Sequence, residues 1–183
     1  INEVSGKFFE NQDFWLEAEN MVHVQPCNAY SFCVKEKIRI DKRKLKKFKI
    51  QEGIHLRNLK EGKDFVYNGK KYSAKNFIYK EIGKKISFVL DTSVNEKIAP
   101  FVKNSDLLVC ESSFHSSLEK LAQEYKHLTS KQACEIARTA KIKKLVLTHL
   151  SERYDKNQKI VLNEARKFFK NTTLAKDLDV VWV

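Results

Sequence analysis

Three short apolar runs, each stopping on a residue that can bind a metal or move a proton, constrain this chain more than any other feature. Ile86-Ser87-Phe88-Val89-Leu90 is followed by Asp91, Leu107-Leu108-Val109-Cys110 by Glu111, and Leu145-Val146-Leu147-Thr148 by His149. Apolar runs of this length read as buried strands. A polar group at the point where such a strand ends lies at a sheet edge, where α/β proteins build their sites. One strand-end histidine is commonly just solvated. Three strands that each deliver a titratable group point to a single convergent site.

The rest of the chain alternates elements. Ser5 to Val24 reads as a strand pair with a turn at residues 10–13, and Ala29 to Lys35 as a strand. Asp41 is positioned to cap a short helix running to Phe48. Asn68-Gly69 is a strong turn signal inside a hairpin spanning Asp64 to Tyr72. Asn76 to Tyr79 and Lys85 to Leu90 read as strands, Asn95 to Val102 as a short helix and Leu107 to Val109 as a strand. Amphipathic helices follow at Ser116 to Tyr125 and Ser130 to Ala140, then a strand at Lys144 to Thr148 and a helix at Gln158 to Phe169. Val180 to Val183 is expected to form a final strand, and Trp15 and Trp182 to lie in the core. The expected fold class is α/β (α+β): a mixed sheet flanked by helices, such as half of an αββα sandwich.

Composition narrows the setting. An apolar share of 42% over 183 residues allows a real core and argues against disorder. No apolar run is long enough to span a bilayer and no signal-peptide pattern is present, so no membrane association is expected. Cys27, Cys33, Cys110 and Cys134 lack C-x-x-C spacing, which disfavours a zinc ribbon. Scattered cysteines of this kind read as reduced thiols of a cytoplasmic, intracellular protein. The net charge of +12 suits a polyanionic partner or, equally, a lysine-rich solvated surface. The segment Lys35–Lys49 is more pointed, holding nine basic residues against two acidic ones as a compact cationic patch.

Val89-Leu90-Asp91-Thr92, Val109-Cys110-Glu111-Ser112-Ser113-Phe114, His127-Leu128-Thr129-Ser130-Lys131-Gln132-Ala133 and Leu147-Thr148-His149-Leu150-Ser151-Glu152-Arg153-Tyr154 occur in that order. Together they resemble the segments Gly-Asp-Thr, His-Glu-Ala-Thr-Phe, His-Ser-Thr and Leu-Thr-His-x-Ser-x-Arg-Tyr of ribonuclease Z. That family comprises the tRNA 3′-processing endonucleases of the metallo-β-lactamase superfamily. Gly53-Ile54, Leu59-Lys60-x-Gly62, Glu164-Ala165-Arg166 and Leu174-Ala175-Lys176-Asp177 extend the resemblance over nearly the whole chain. The superfamily's main metal motif, His-x-His-x-Asp-His, does not occur, and the five histidines show no ligand-pair spacing. Residues 1–183 are therefore expected to be the C-terminal portion of a single metallo-β-lactamase-type domain. The N-terminal metal-binding part would then lie on a missing segment or a second chain.

The resemblance implies a zinc-dependent endoribonuclease that removes the 3′ trailer of precursor tRNA, with two zinc ions in the complete enzyme and a homodimeric assembly. It implies Asp91 and His149 as metal ligands, His127 as the general acid toward the departing oxygen, and Glu111 as the carboxylate that orients His127. Thr129, Arg153 and Asp177 would contact substrate. Imidazole as a class titrates near neutrality, which suits acid catalysis. Each residue also has a plainer reading: a turn aspartate for Asp91, a solvated carboxylate for Glu111, a helix-terminal histidine for His127, a helix cap at Thr129 or Ser130 and an exposed turn residue for Arg153. His23 reads as structural, and His55 and His115 as surface residues. Departures from the family pattern are Ala29, Leu90, Cys110, Lys126 and Leu128, of which Ala29, Leu90 and Lys126 stand where the family carries glycine. An isolated chain of this kind is expected to be inactive. The alternatives are a non-catalytic RNA-binding or scaffolding half of a long-form family member, and another phosphodiesterase of the same fold.

Overall fold

A computed structural model describes residues 4–183. The chain divides into two compact units, one formed by residues up to Val34 and from Lys84 onward, the other by Lys35–Gly83.

The larger unit begins with β1 (Gly6–Glu10), β2 (Phe14–Asn20) and β3 (Asn28–Val34). The Asn11 side chain accepts from the amides of Asp13 and Phe14 and closes the β1–β2 turn. The smaller unit contributes β4 (Lys37–Ile40), α1 (Lys42–Lys47), α2 (His55–Lys60), β5 (Phe65–Tyr67), β6 (Lys70–Tyr72) and β7 (Ile78–Glu81). The larger unit resumes with β8 (Lys84–Val89), α3 (Ile98–Phe101), β9 (Leu107–Glu111), α4 (Glu119–Glu124), α5 (Ser130–Thr139), β10 (Lys144–Thr148), α6 (Lys159–Phe168) and β11 (Thr172–Leu174).

Among the described residues, the larger unit forms a seven-stranded sheet in the order β1-β2-β3-β8-β9-β10-β11. Pairing is antiparallel from β1 through β8 and parallel from β8 through β11. This is the expected mixed sheet flanked by helices. Parallel neighbours require crossovers, and α3, the α4–α5 pair and α6 supply them. Their apolar faces meet the sheet in one core that includes Val89, Leu108, Cys110, Leu145 and Leu147 from strands and Ile98, Ala133, Cys134, Ala137 and Ala165 from helices. Small residues on α5 let it lie close to the sheet; burying each large aliphatic partner contributes about 1.5–3 kcal/mol. Side chains alternate across a strand, so Tyr30 and Phe88, paired between β3 and β8, point to the other face, where they are 44% and 40% exposed.

The smaller unit has its own core of Leu45, Ile50, Leu59, Phe65, Ala74 and Phe77. Asp41 caps α1 by accepting from the amides of Arg43 and Lys44, as its sequence position implies. Asn68 and Gly69 both take positive φ, 49° and 72°, the turn that joins β5 to β6. Glycine adopts this conformation without a Cβ penalty. Lys44, Lys46, Lys47 and Lys49 are exposed.

Three expectations need correcting. The last strand is Thr172–Leu174, not Val180–Val183, because β11 pairs with β10 immediately after α6 delivers the chain to the sheet edge. Trp182 is 86% exposed and contributes nothing to the core. The strand expected at Asn76–Tyr79 begins at Ile78, since Ala74–Asn76 form a 3₁₀ turn.

Candidate active site

Adjacent parallel strands end at the same sheet edge. Register pairs Val89 with Cys110 and Cys110 with Leu147, so Asp91, Glu111 and His149 emerge side by side. Asp91 and His149 both leave their strands with positive φ, 48° and 55°. Non-glycine residues in this region cost of order 1–3 kcal/mol, and such strain concentrates at functional sites. Here it turns the two side chains toward each other, with Asp91 Oδ1 3.1 Å from His149 Nδ1.

His127 joins them from a helix end. At the C-terminus of α4, the His127 amide donates to the Ala122 carbonyl at 2.8 Å and the Lys126 amide to Gln123 at 3.2 Å. This is a Schellman motif with Lys126 as its left-handed residue at φ 57°. Ligand atoms of Asp91, His127 and His149 all lie within 4.8 Å of one another. The His127 ring stands 5.2 Å from the His149 ring.

Glu111 lies behind this group and is fully buried. Its Oε1 accepts from the Thr92 amide, and its Oε2 accepts from the Ser113 hydroxyl at 3.0 Å and the Leu128 amide at 3.1 Å. The remaining partner is His127 Nδ1, 3.0 Å from Oε1 and 3.1 Å from Oε2. A buried carboxylate demands such a full set of donors. An N–H at Nδ1 is therefore committed to Glu111, which leaves Nε2 for chemistry.

The sequence reading missed the placement of His23. Its Nδ1 is 3.1 Å from the Lys126 carbonyl, and its ring centroid is 4.9 Å from that of His127. It thus stands beside the site, at the end of a segment that no local motif marks. Cys27 is also close: its thiol donates to the Asp91 carbonyl at 3.0 Å, and burial, helped by the charges of Asp91 and Glu111, pushes that thiol upward from its ordinary pKa.

The remaining expected residues fall at different distances from this centre. Thr129 caps α5: its hydroxyl accepts from the Gln132 amide while Gln132 reaches back to the Thr129 amide. The threonine is 1% exposed, so its side chain serves the helix first. Arg153 lies with its guanidinium carbon 4.9 Å above the Phe114 ring. Asp177 is exposed in the turn after β11 and is not one of the three clustered ligand groups. His115, expected at the surface, is instead partly buried, with Nε2 3.1 Å from Glu164.

The Asp91 carboxylate and the His149 imidazole, from separate elements, are oxygen and nitrogen donors that zinc accepts, and the His127 imidazole lies within reach of the same point. The left-handed turns at Asp91 and His149 bring those donors together, so the residues present fit a metal ion.

No family model matches the chain. It is 36% identical over 179 residues to a ribonuclease Z of Listeria monocytogenes, covering 96% of this chain and 58% of that protein. It is 37% identical over 180 residues to a ribonuclease Z of Lactobacillus gasseri, with 95% and 58% covered. The chain thus spans less than two thirds of the length of the curated relatives it matches. Among solved structures, human tRNase Z, short form, superposes with a TM-score of 0.57 at 21% identity, covering 96% of this chain and 46% of that one. The metallo-β-lactamase fold protein YhfI of Bacillus subtilis gives 0.58 at 18% identity, with 96% and 52% covered. By sequence and fold together, the chain is a homologue of the ribonuclease Z proteins, built on the metallo-β-lactamase fold.

Proposed function

We propose that this chain supplies one half of a zinc-dependent endoribonuclease site that removes the 3′ trailer of precursor tRNA. The observation that carries the reading is the convergence of Asp91, His127 and His149 within 4.8 Å, with buried Glu111 behind His127. Asp91 and His149 would hold metal. Bound zinc at such a site neutralises phosphoryl oxygens and acidifies a water toward hydroxide. His127, its Nδ1 held by Glu111, keeps Nε2 available to carry the proton delivered to the leaving 3′ oxygen. Glu111 fixes the ring orientation, so little reorientation is needed when the phosphate arrives. Lys44, Lys46, Lys47 and Lys49 add a cationic surface suited to an RNA backbone, consistent with the net charge of +12.

Two protein ligands are too few for a two-metal centre. The further ligands would come from a segment or partner chain bearing His-x-His-x-Asp-His, packed on the apolar sheet face that carries Tyr30 and Phe88. The test is cleavage of a 3′-extended precursor tRNA by this chain mixed with such a segment taken from a ribonuclease Z relative. Zinc-dependent cleavage that disappears in Asp91→Asn and His127→Ala is expected. Equal cleavage by the variants, or none by the wild-type mixture, would contradict the reading.

A further inference from the structure

Beside His127, the end of β9, the segment before His127 and the loop after β10 enclose a cleft of about 500 Å³. Its walls include Phe114, Tyr125, His149, Glu152 and Arg153. Phe114 is a buried floor, 5% exposed. Arg153 is fixed over that floor by two contacts: its guanidinium carbon 4.9 Å from the ring centroid, and its Nε donating to the Ser151 hydroxyl at 2.9 Å. Tyr125 forms the opposite wall, 55% exposed, with its ring 6.5 Å from that of Phe114. The Phe114 ring is 6.3 Å from that of His127, so the cleft opens directly beside the catalytic imidazole.

We infer that this cleft is a nucleobase subsite, which receives the base of the nucleotide flanking the scissile phosphate and stacks it on Tyr125. The inference rests on the reading of His127 and His149 as a phosphodiester site. For a second phosphate, Glu152 offsets the attraction of Arg153, whose Nε is already given to Ser151, so the cleft favours a flat, uncharged occupant. A base matches every wall. Its π-face meets Tyr125 and the Arg153 guanidinium, the two kinds of plane on which unpaired bases stack. Its ring or exocyclic N–H groups meet the Glu152 carboxylate, an acceptor that suits them. Stacking tolerates any base, whereas Glu152 favours one with an N–H toward it.

The test compares binding of adenosine 5′-monophosphate and ribose 5-phosphate to this chain by ligand-observed NMR titration. The two probes share the phosphate and differ only in the base. Adenosine 5′-monophosphate is expected to bind about tenfold more tightly. Tyr125→Ala should bring it down to the level of ribose 5-phosphate while leaving ribose 5-phosphate unchanged, and Tyr125→Phe should retain the preference. Equal affinities, no saturable binding of adenosine 5′-monophosphate, or full preference in Tyr125→Ala would overturn the subsite. The nuclease reading fails separately: base preference without zinc-dependent cleavage leaves a nucleotide site and removes the endoribonuclease, while cleavage without base preference removes the subsite alone.

Discussion

The Glu111 carboxylate sits 3.0 Å from His127 Nδ1 and simultaneously receives the backbone amides of Thr92 and Leu128. One side chain therefore ties the end of β8, its own strand and the approach to α5 to the orientation of a single imidazole. Each additional donor stabilises the buried charge and removes a way for the ring to turn.

Glu111→Gln should separate these duties. The carboxamide presents N–H groups where the carboxylate only accepts, so at least one amide or the imidazole N–H loses its partner. A loss of about 1–3 kcal/mol in unfolding free energy is expected. In the complemented cleavage assay kcat should fall about 10–100-fold with KM little changed. A variant with wild-type kcat would remove Glu111 from the orienting role.

Lys126 occupies the left-handed position of the Schellman motif that delivers His127. The ribonuclease Z pattern has glycine at this point, and the geometry explains why: φ of 57° penalises a Cβ. Lys126→Gly should raise stability by about 1 kcal/mol in thermal or denaturant unfolding. Destabilisation by that change would mean the lysine side chain is doing more than tolerating its backbone.

Thr129→Ala should cost about 1 kcal/mol through loss of the α5 capping box. Thr129→Ser, which keeps the hydroxyl, should stay near wild type. A raised KM for precursor tRNA in Thr129→Ala without any loss of stability would restore the substrate-contact role and demote the cap.

Glu164 on α6 is a second buried carboxylate, accepting from the Ser116 amide at 3.1 Å, from the hydroxyls of Ser116 and Ser130, and pairing with His115 Nε2. Burial raises its pKa, but the hydrogen bonds from Ser116 and Ser130 and the neighbouring His115 outweigh it, so the carboxyl titrates below its ordinary value of 4.5. A lowered folded-state pKa means the unfolded chain binds the proton more readily. The stability Glu164 contributes is thus present in full above pH 4.5 and fades as pH falls through the lowered value. Glu164→Gln should be less stable than wild type at pH 7, with the gap narrowing in acid. A gap that widens on acidification would reverse the sign and discredit the network.

Much of this arrangement was legible before any coordinates. The strand ends at Asp91, Glu111 and His149 were visible because apolar runs stop abruptly, and parallel neighbours then align their ends. The hairpin at Asn68-Gly69 and the Asp41 cap followed from local turn and cap chemistry, which also narrowed the α5 cap to Thr129 or Ser130; the structure selects Thr129. What stayed hidden depended on distant partners. The β11 strand, Thr172–Leu174, is too short to show a period and exists because β10 offers it an edge. Trp182 looked like core because of its size, yet nothing in the sequence around it indicates a burial partner. His23 sits 104 residues before His127 in sequence, and long-range hydrogen bonds, of Val22 with Thr92 and Ser93 and between His23 Nδ1 and the Lys126 carbonyl, bring the two rings together.

The central claim is that Asp91 and His149 hold a metal, and titration of this chain with Zn²⁺ by calorimetry tests it most directly. Saturable binding that weakens at least about tenfold in Asp91→Asn and in His149→Ala, and persists in Glu164→Gln, is the expected result. Zinc binding of equal strength in the wild type and in the Asp91→Asn/His149→Ala double variant would contradict it.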